Sequence, residues 1–285
     1  MGAADPEALR AEIYERWERA ASGWGRRAER VREFGSPVSA WMLEHAQLEP
    51  GLRVLELAAG PGDTGFLAAE RIRPEGTLIS TDVAEPMLDI ARARAAEMRL
   101  ENVEFKRIEL DWIDLETASV DRILCKWGLM FSVDPETSLR EARRVLRPGG
   151  RIALAVWDEP PANPWATITT RALVELGHAE PLDRDAPGGM FSLSRPGRLQ
   201  WLLEAAGFLD VHVETVQPAR SWASVEDYVA ETRDLSCAFG QTYATLSGEQ
   251  REQVTGKIAE LARAYTAPDG SLSMPARSLV AAADA

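Results

Sequence analysis

The feature that most constrains the fold of this 285-residue chain is an apolar run that ends in a glycine turn and opens a helix. Residues 53–58 (RVLELA) read as a strand, Gly60-Pro61-Gly62-Asp63-Thr64-Gly65 as the turn, and a helix follows to about Ile72. A short, nearly continuous apolar run bounded by glycine suits a strand buried on both faces. The alternation then repeats. Residues 77–82, 103–109, 120–127 and 151–157 read as strands, with helices over 85–98 and 135–146 and a sharp turn at Arg147-Pro148-Gly149-Gly150. Strands and helices alternating at these lengths predict an α/β fold, a mostly parallel sheet with helices on both faces.

The flanks are less regular. Leu9, Ile13, Trp17 and Ala20 lie at helical spacing within 6–33. Gly23 and Gly25 are expected to break that helix, and Ser36-Pro37 to open a second one running to about Gln47. After Asp158 the alternation stops. Helical stretches are expected near 164–177, 195–206, 224–235 and 247–265, with strands over 211–216 and 271–282. The organisation read from this is one domain over 1–285: an N-terminal helical lid at 1–35, a binding core at 36–158, and remaining core strands with helical insertions at 159–285.

Composition narrows the function classes. Forty-five acidic against 32 basic residues leave a net charge of −13. A nucleic-acid binder needs a basic face to displace counterions, and an anionic membrane surface needs the same, so neither partner is expected. Cys125 and Cys237 are too few for a disulfide framework or a thiolate zinc site, and a reducing cytoplasm fits. No apolar stretch approaches the roughly 18 residues of a membrane helix, and the N-terminus is acidic rather than signal-like. His45, His178 and His212 are widely separated, no Asp/Glu/His set has recognisable metal spacing, and no metal is expected.

Gly60, Gly62 and Gly65 satisfy G-x-G-x-x-G, a spacing shared with dinucleotide-binding enzymes. Glycine lets a backbone approach a ligand, and a helix start offers free N–H groups. Asp82, ending the second strand, is placed to accept both hydroxyls of a ribose. Three features favour a ligand other than a pyrophosphate. Glu56, inside the strand before the turn, would repel a pyrophosphate and suits an ammonium and a sulfonium. Asp111, in Leu110-Asp111-Trp112, can accept from the exocyclic amine of adenine. The third sign is the stretch from Val120 to Trp157, with LREARRVLRPGGRIALAVW at its end.

At VLELAAGPGDTG, LISTDVAEPML and RVLRPGG the chain resembles class I S-adenosylmethionine-dependent methyltransferases, nearest to the ubiquinone/menaquinone-biosynthesis type and related small-molecule enzymes. The resemblance covers about residues 36–158. It implies a Rossmann-like seven-stranded sheet in the order 3-2-1-4-5-7-6, its seventh strand antiparallel. It also implies roles. Glu56, Ala58, Gly60, Pro61 and Gly62 would line the methionine part of the cofactor, and Asp82 would hold the ribose hydroxyls. Val83 and Met87 would pack on ribose and adenine. Asp111, flanked by Leu110, would take the adenine amine, and the Trp112 backbone the ring nitrogen. Carbonyls from Lys126, Trp127 and Gly128 would meet the methionine ammonium. Ala58 stands where many relatives carry the first glycine of the loop. Trp24 is a candidate to face the sulfonium by cation–π attraction. Trp127, Phe131 and Trp165 would wall an acceptor pocket or belong to the core. His178, in the insertion after the fifth strand, is the candidate general base.

The expected reaction is in-line transfer of a methyl group to a small organic acceptor, planar or hydrophobic, leaving S-adenosylhomocysteine. A nicotinamide-dependent oxidoreductase and a non-catalytic protein of the same fold are the rival readings.

Overall fold

Residues 5–285 are described by a computed structural model, so residues 1–4 of the expected lid lie outside it. The strands are β1 (Arg53–Glu56), β2 (Thr77–Asp82), β3 (Val103–Arg107), β4 (Val120–Lys126), β5 (Leu146–Trp157), β6 (Leu209–Val216), β7 (Ala219–Trp222), β8 (Leu272–Pro275) and β9 (Ser278–Asp284). Seven of them form one sheet in the order β3-β2-β1-β4-β5-β9-β6, with β9 antiparallel to both its neighbours and the other pairs parallel. This is the expected topology. Val54, Leu55, Ile79, Ile123, Leu124 and Val280 are fully buried, as strands covered on both faces require.

The helices are α1 (Pro6–Arg26), α2 (Ala28–His45), α3 (Thr64–Arg71), α4 (Glu85–Glu97), α5 (Pro135–Val145), α6 (Pro164–Glu175), α7 (Arg198–Ala205), α8 (Val225–Leu235), α9 (Cys237–Thr245) and α10 (Gly248–Leu261). Helices α2 and α3 pack together against β4, while α5 and α7 pack together against the β5–β9–β6 side.

Three local expectations are corrected. Gly23 and Gly25 do not break α1, which runs through both to Arg26. They are there for close approach: a Cβ at Gly23 would lie 1.9 Å from the Asp234 carbonyl oxygen of α8, and one at Gly25 2.9 Å from Ile90 of α4. Ser36-Pro37 does not open a helix but lies inside α2, which crosses the expected lid–core boundary. Proline cannot donate to the carbonyl of residue 33, and the Ser36 hydroxyl donates to that oxygen instead, at 2.8 Å. The single strand expected over 271–282 is two. Asn163 clamps the main chain of Arg277, accepting from its N–H (2.9 Å) and donating to its carbonyl (3.0 Å), so the chain changes partners there. Before the clamp, β8 pairs with β7 in a separate ribbon, and after it β9 enters the main sheet.

Between β6 and β9 the chain builds a cap from β7, α8, α9, α10 and β8, with α6 packed against it. The cap has its own apolar core, including Ile168, Leu173, Tyr228, Val254, Ile258 and Met274. Helix α9, capped by Ser236, was not expected.

Candidate active site

The C-terminal ends of β1, β2 and β4 converge on the glycine turn, where an open α/β sheet places its ligands. The turn is fixed from several sides by charged groups. Glu56 is buried beneath it and accepts from the Gly65 N–H at 2.7 Å and the Ser80 hydroxyl at 3.3 Å. Asp82 accepts from the N–H groups of Gly60 (2.8 Å) and Ala84 (3.0 Å). Arg94 reaches across from α4 to donate to the carbonyls of Pro61 (2.6 Å) and Gly62 (2.9 Å) and to Asp63 (3.0 Å). The Lys126 ammonium lies 3.3 Å from the Ser39 hydroxyl and 3.8 Å from Asp63.

Burial sets the charge balance. It pushes the Glu56 carboxyl up to about 7, against the Gly65 amide and the Lys126 charge, which favour ionisation. It raises Asp82 as well, opposed by the amides of Ala84 and Gly60, and lowers Lys126, opposed by Asp63 and Glu56.

The backbone is left-handed at Ala58 (φ 51°) and Trp127 (φ 57°), one just beyond β1 and the other just beyond β4. Non-glycine residues there cost of order 1–3 kcal/mol each, and such positions cluster at ligand sites. Gly128 lets the two segments meet, since a Cβ on it would lie 2.4 Å from the Ala58 Cβ. At Gly60 (φ 56°) no atom lies within 4 Å of the position a Cβ would take. That half-buried face, beside the Asp82 carboxylate, leaves room for a ligand backed by main chain.

Helix α1 lies across this end of the sheet. Arg10 forms an ion pair with Asp111 at 2.5 Å, and burial together with the Glu109 carboxylate holds the Tyr14 proton well above the usual tyrosine range. Ala21, Ala84 and Met87 form a small buried cluster with Trp17, Trp24 and Ile90 against it.

The expected site residues therefore separate into groups. Ala58, Gly60, Pro61, Gly62, Asp82, Val83 and Met87 are brought together around the turn, and Gly128 abuts it. Glu56 belongs to the same place but holds Gly65 rather than lining open space. Asp111 is engaged by Arg10, Leu110 is half-buried beside it, and the Trp112 side chain is 71% exposed. Lys126 points its ammonium toward Asp63, and Trp127 is core, stacked on Trp157 at 4.3 Å with its N–H donated to Ser278. Trp24 donates its N–H to the Leu235 carbonyl of the cap. His178 follows the C-terminus of α6, about 18 Å of helix beyond Pro164, and its neighbours Leu176 and Ala179 pack on the cap core.

Arg94, Asp63, Arg10 and Tyr14 were not singled out. Arg94 carried a usable signal: it lies two helical turns after Met87, on the same face of α4. Phe34 was also missed. It stacks on Trp127 (5.6 Å) and Trp157 (5.8 Å), while the buried Arg220 guanidinium lies 4.3 Å over its ring and 4.5 Å over Trp165.

A seven-stranded sheet with an antiparallel seventh strand, a glycine turn after β1 and an acid ending β2 define the class I methyltransferase architecture. Comparison with known proteins agrees. Residues 48–207 match the family model described as "Methyltransferase domain". The nocamycin O-methyltransferase of Saccharothrix syringae is 33% identical over 194 residues, 63% of this chain and 67% of that protein. The demethylmenaquinone methyltransferase of Lactococcus lactis is 36% identical over 110 residues, 39% of this chain and only 44% of that protein. Among solved structures, the YcgJ protein of Bacillus subtilis superposes with a TM-score of 0.57 at 18% identity, covering 86% of this chain and 97% of that one. The Haemonchus contortus phosphoethanolamine N-methyltransferase 2, solved with S-adenosyl-L-methionine, gives 0.53 at 16% identity, covering 87% and 52%. The chain belongs to the S-adenosylmethionine-dependent methyltransferase family. Among the described residues, no helix is long and apolar enough to cross a membrane.

Proposed function

We propose that this chain transfers a methyl group from S-adenosylmethionine to a small organic acceptor by in-line displacement. The observation that carries the reading is the open face of Gly60 beside the buried Asp82 carboxylate, at the meeting point of β1, β2 and β4. When bound, the cofactor supplies a methyl group already activated on a sulfonium.

The chain's own residues would then align and enclose. Asp82 holds the ribose hydroxyls, exchanging bonds to its own backbone for bonds to the ligand. Val83, Ala84 and Met87 wall the adenine under the aromatic pair of α1. Asp111 accepts the adenine amine once Arg10 yields it. Glu56 and Lys126 hold the turn's shape, and the ionised Glu56 adds a negative potential that favours an ammonium. Alignment and avoided solvent reorganisation supply up to about 7–11 kcal/mol of the barrier.

The acceptor would lie beyond the end of β4, between the half-exposed rings of Phe34, Phe131 and Trp165. Those rings suit a planar or hydrophobic molecule, and the relatives named for a quinone precursor and for nocamycin fit that class. His178 is given no part, and an amine or a preformed phenolate needs no base.

Calorimetric titration of ligand-stripped protein with S-adenosylmethionine, S-adenosylhomocysteine and NADH tests the cofactor, followed by a mass-spectrometric screen of acceptors for a gain of one methyl. Micromolar binding of the adenosyl-sulfur pair alone is expected. Binding of NADH alone would overturn the proposal.

A further inference from the structure

The chain has only three histidines, and two of them, 167 positions apart in sequence, meet in space. His45 is in the last turn of α2, and His212 lies on β6, the edge strand of the main sheet. Glu214, two residues along β6 and therefore on the same face, completes the group. One ligand atom from each of the three lies within 4.8 Å of the other two, and the His212 Nε2 is 3.5 Å from the Glu214 Oε1.

Supporting hydrogen bonds are already in place. The His45 Nδ1 lies 2.9 Å from the Trp41 carbonyl oxygen, so Nδ1 carries the proton and Nε2 keeps its lone pair. The Trp41 indole N–H donates to the Glu214 carboxylate, and its ring stacks on His45 at 3.8 Å. Histidine tied to a backbone carbonyl and carboxylate held by a donor is the arrangement that orients ligands around a bound metal.

We infer that His45, His212 and Glu214 form a divalent transition-metal site, best suited to zinc, that braces the edge strand β6 to α2. Two imidazoles and one carboxylate make a borderline donor set, against the all-oxygen sets of calcium and magnesium. Ligand atoms around a tetrahedral zinc lie about 3.4 Å apart, so closure needs an approach of about 1 Å and a turn of the near-parallel His45 and His212 rings, whose centroids are 5.9 Å apart. The His212 and Glu214 side chains are 54% and 44% exposed, which leaves room for these movements. Water would take the fourth position. The sequence reading expected no metal because it searched for ligand spacing along the chain, and this set is assembled across it. The His45 carbonyl accepts from Arg151 near the start of the straight part of β5, whereas the glycine turn follows the opposite ends of the strands. The brace is therefore separate from the methyl-transfer site.

The test is calorimetric titration of tag-free, chelator-treated protein with zinc. One site per chain with a dissociation constant in the low micromolar range is expected. Each of H45A and H212A should weaken it at least tenfold (~1.4 kcal/mol), and H178A should leave it unchanged. W41F keeps the stacked ring and removes only the donor, and should weaken binding by about tenfold without unfolding the protein. Affinity for S-adenosylhomocysteine should stay within about twofold with and without zinc, because distant sites act independently. Binding weaker than about 100 µM (~−5.5 kcal/mol), or binding unaffected by H45A and H212A together, would overturn the inference.

Discussion

The sheet core and the cap solve the burial of charge in opposite ways. Around the glycine turn, Glu56, Asp63, Asp82, Lys126 and Arg94 are gathered in one place, and half of their hydrogen bonds go to the main chain of the turn. In the cap the buried charge is a single pair, Arg220 and Glu231, set among Phe34, Trp165 and Trp222. The first arrangement shapes a backbone for a ligand. The second joins two hydrophobic bodies, because the Arg220 guanidinium covers ring faces from both sides of the junction between α2 and the cap.

Breaking the cap's pair is the strongest challenge to this contrast. Arg220→Met leaves the buried Glu231 with only the half-exposed Arg30, 3.3 Å away, and should cost up to about 3–5 kcal/mol in urea denaturation. If the two regions differ as described, the protein that remains folded binds S-adenosylhomocysteine as wild type does, and a large loss of affinity would tie the cap to cofactor binding. The converse variant is Asp82→Ala. It should lower cofactor affinity about 100-fold (~2.7 kcal/mol) by calorimetry. Wild-type affinity in that variant would remove Asp82 from the site.

A third test uses pH. The Glu56 carboxyl titrates at about 7 in the fold against a usual 4.5, so between those values the native state holds a proton that the unfolded chain has lost. Stability should therefore fall as pH rises through that window, and Glu56→Gln, which keeps an acceptor for the Gly65 N–H, should flatten the slope. Denaturation midpoints at pH about 5 and about 8 check it, and an unchanged slope would mean that Glu56 is not the group responsible. The smallest effect is expected at the rim. Arg10→Ala frees Asp111 at a cost of no more than about 1 kcal/mol in stability, and cofactor affinity should rise a few-fold. A fall in affinity would instead make the Arg10–Asp111 pair part of the binding surface.

The contrast also explains what could be read from the chain. The core was legible because each element carries a local signal: an apolar run, a turn rich in glycine, then a helix. The motifs of four such segments in order carry the resemblance that implied the topology. Asp82, Gly60 and Met87 could be placed by their distance from those signals alone. Glu56 could be placed on its strand, but the sequence does not report that its carboxylate accepts from the Gly65 N–H at 2.7 Å. Gly23 and Gly25 were misread for a related reason. Glycine within a helical pattern signals either a break or a close approach, and only the positions of Asp234 and Ile90 decide between them.

By itself, the sequence determined the alternation of strands and helices and the position of the glycine turn, since these follow from periodicity and turn chemistry within short windows, while the strand order and the family came from the resemblance of its motifs to class I methyltransferases. Tertiary structure alone decided the rest: the Asn163 clamp that divides the last strand, the Arg94 bonds to the glycine turn, and the meeting of His45 with His212. Each depends on residues between 31 and 167 positions apart. No local pattern encodes such pairs, because their contact is set by how whole elements pack.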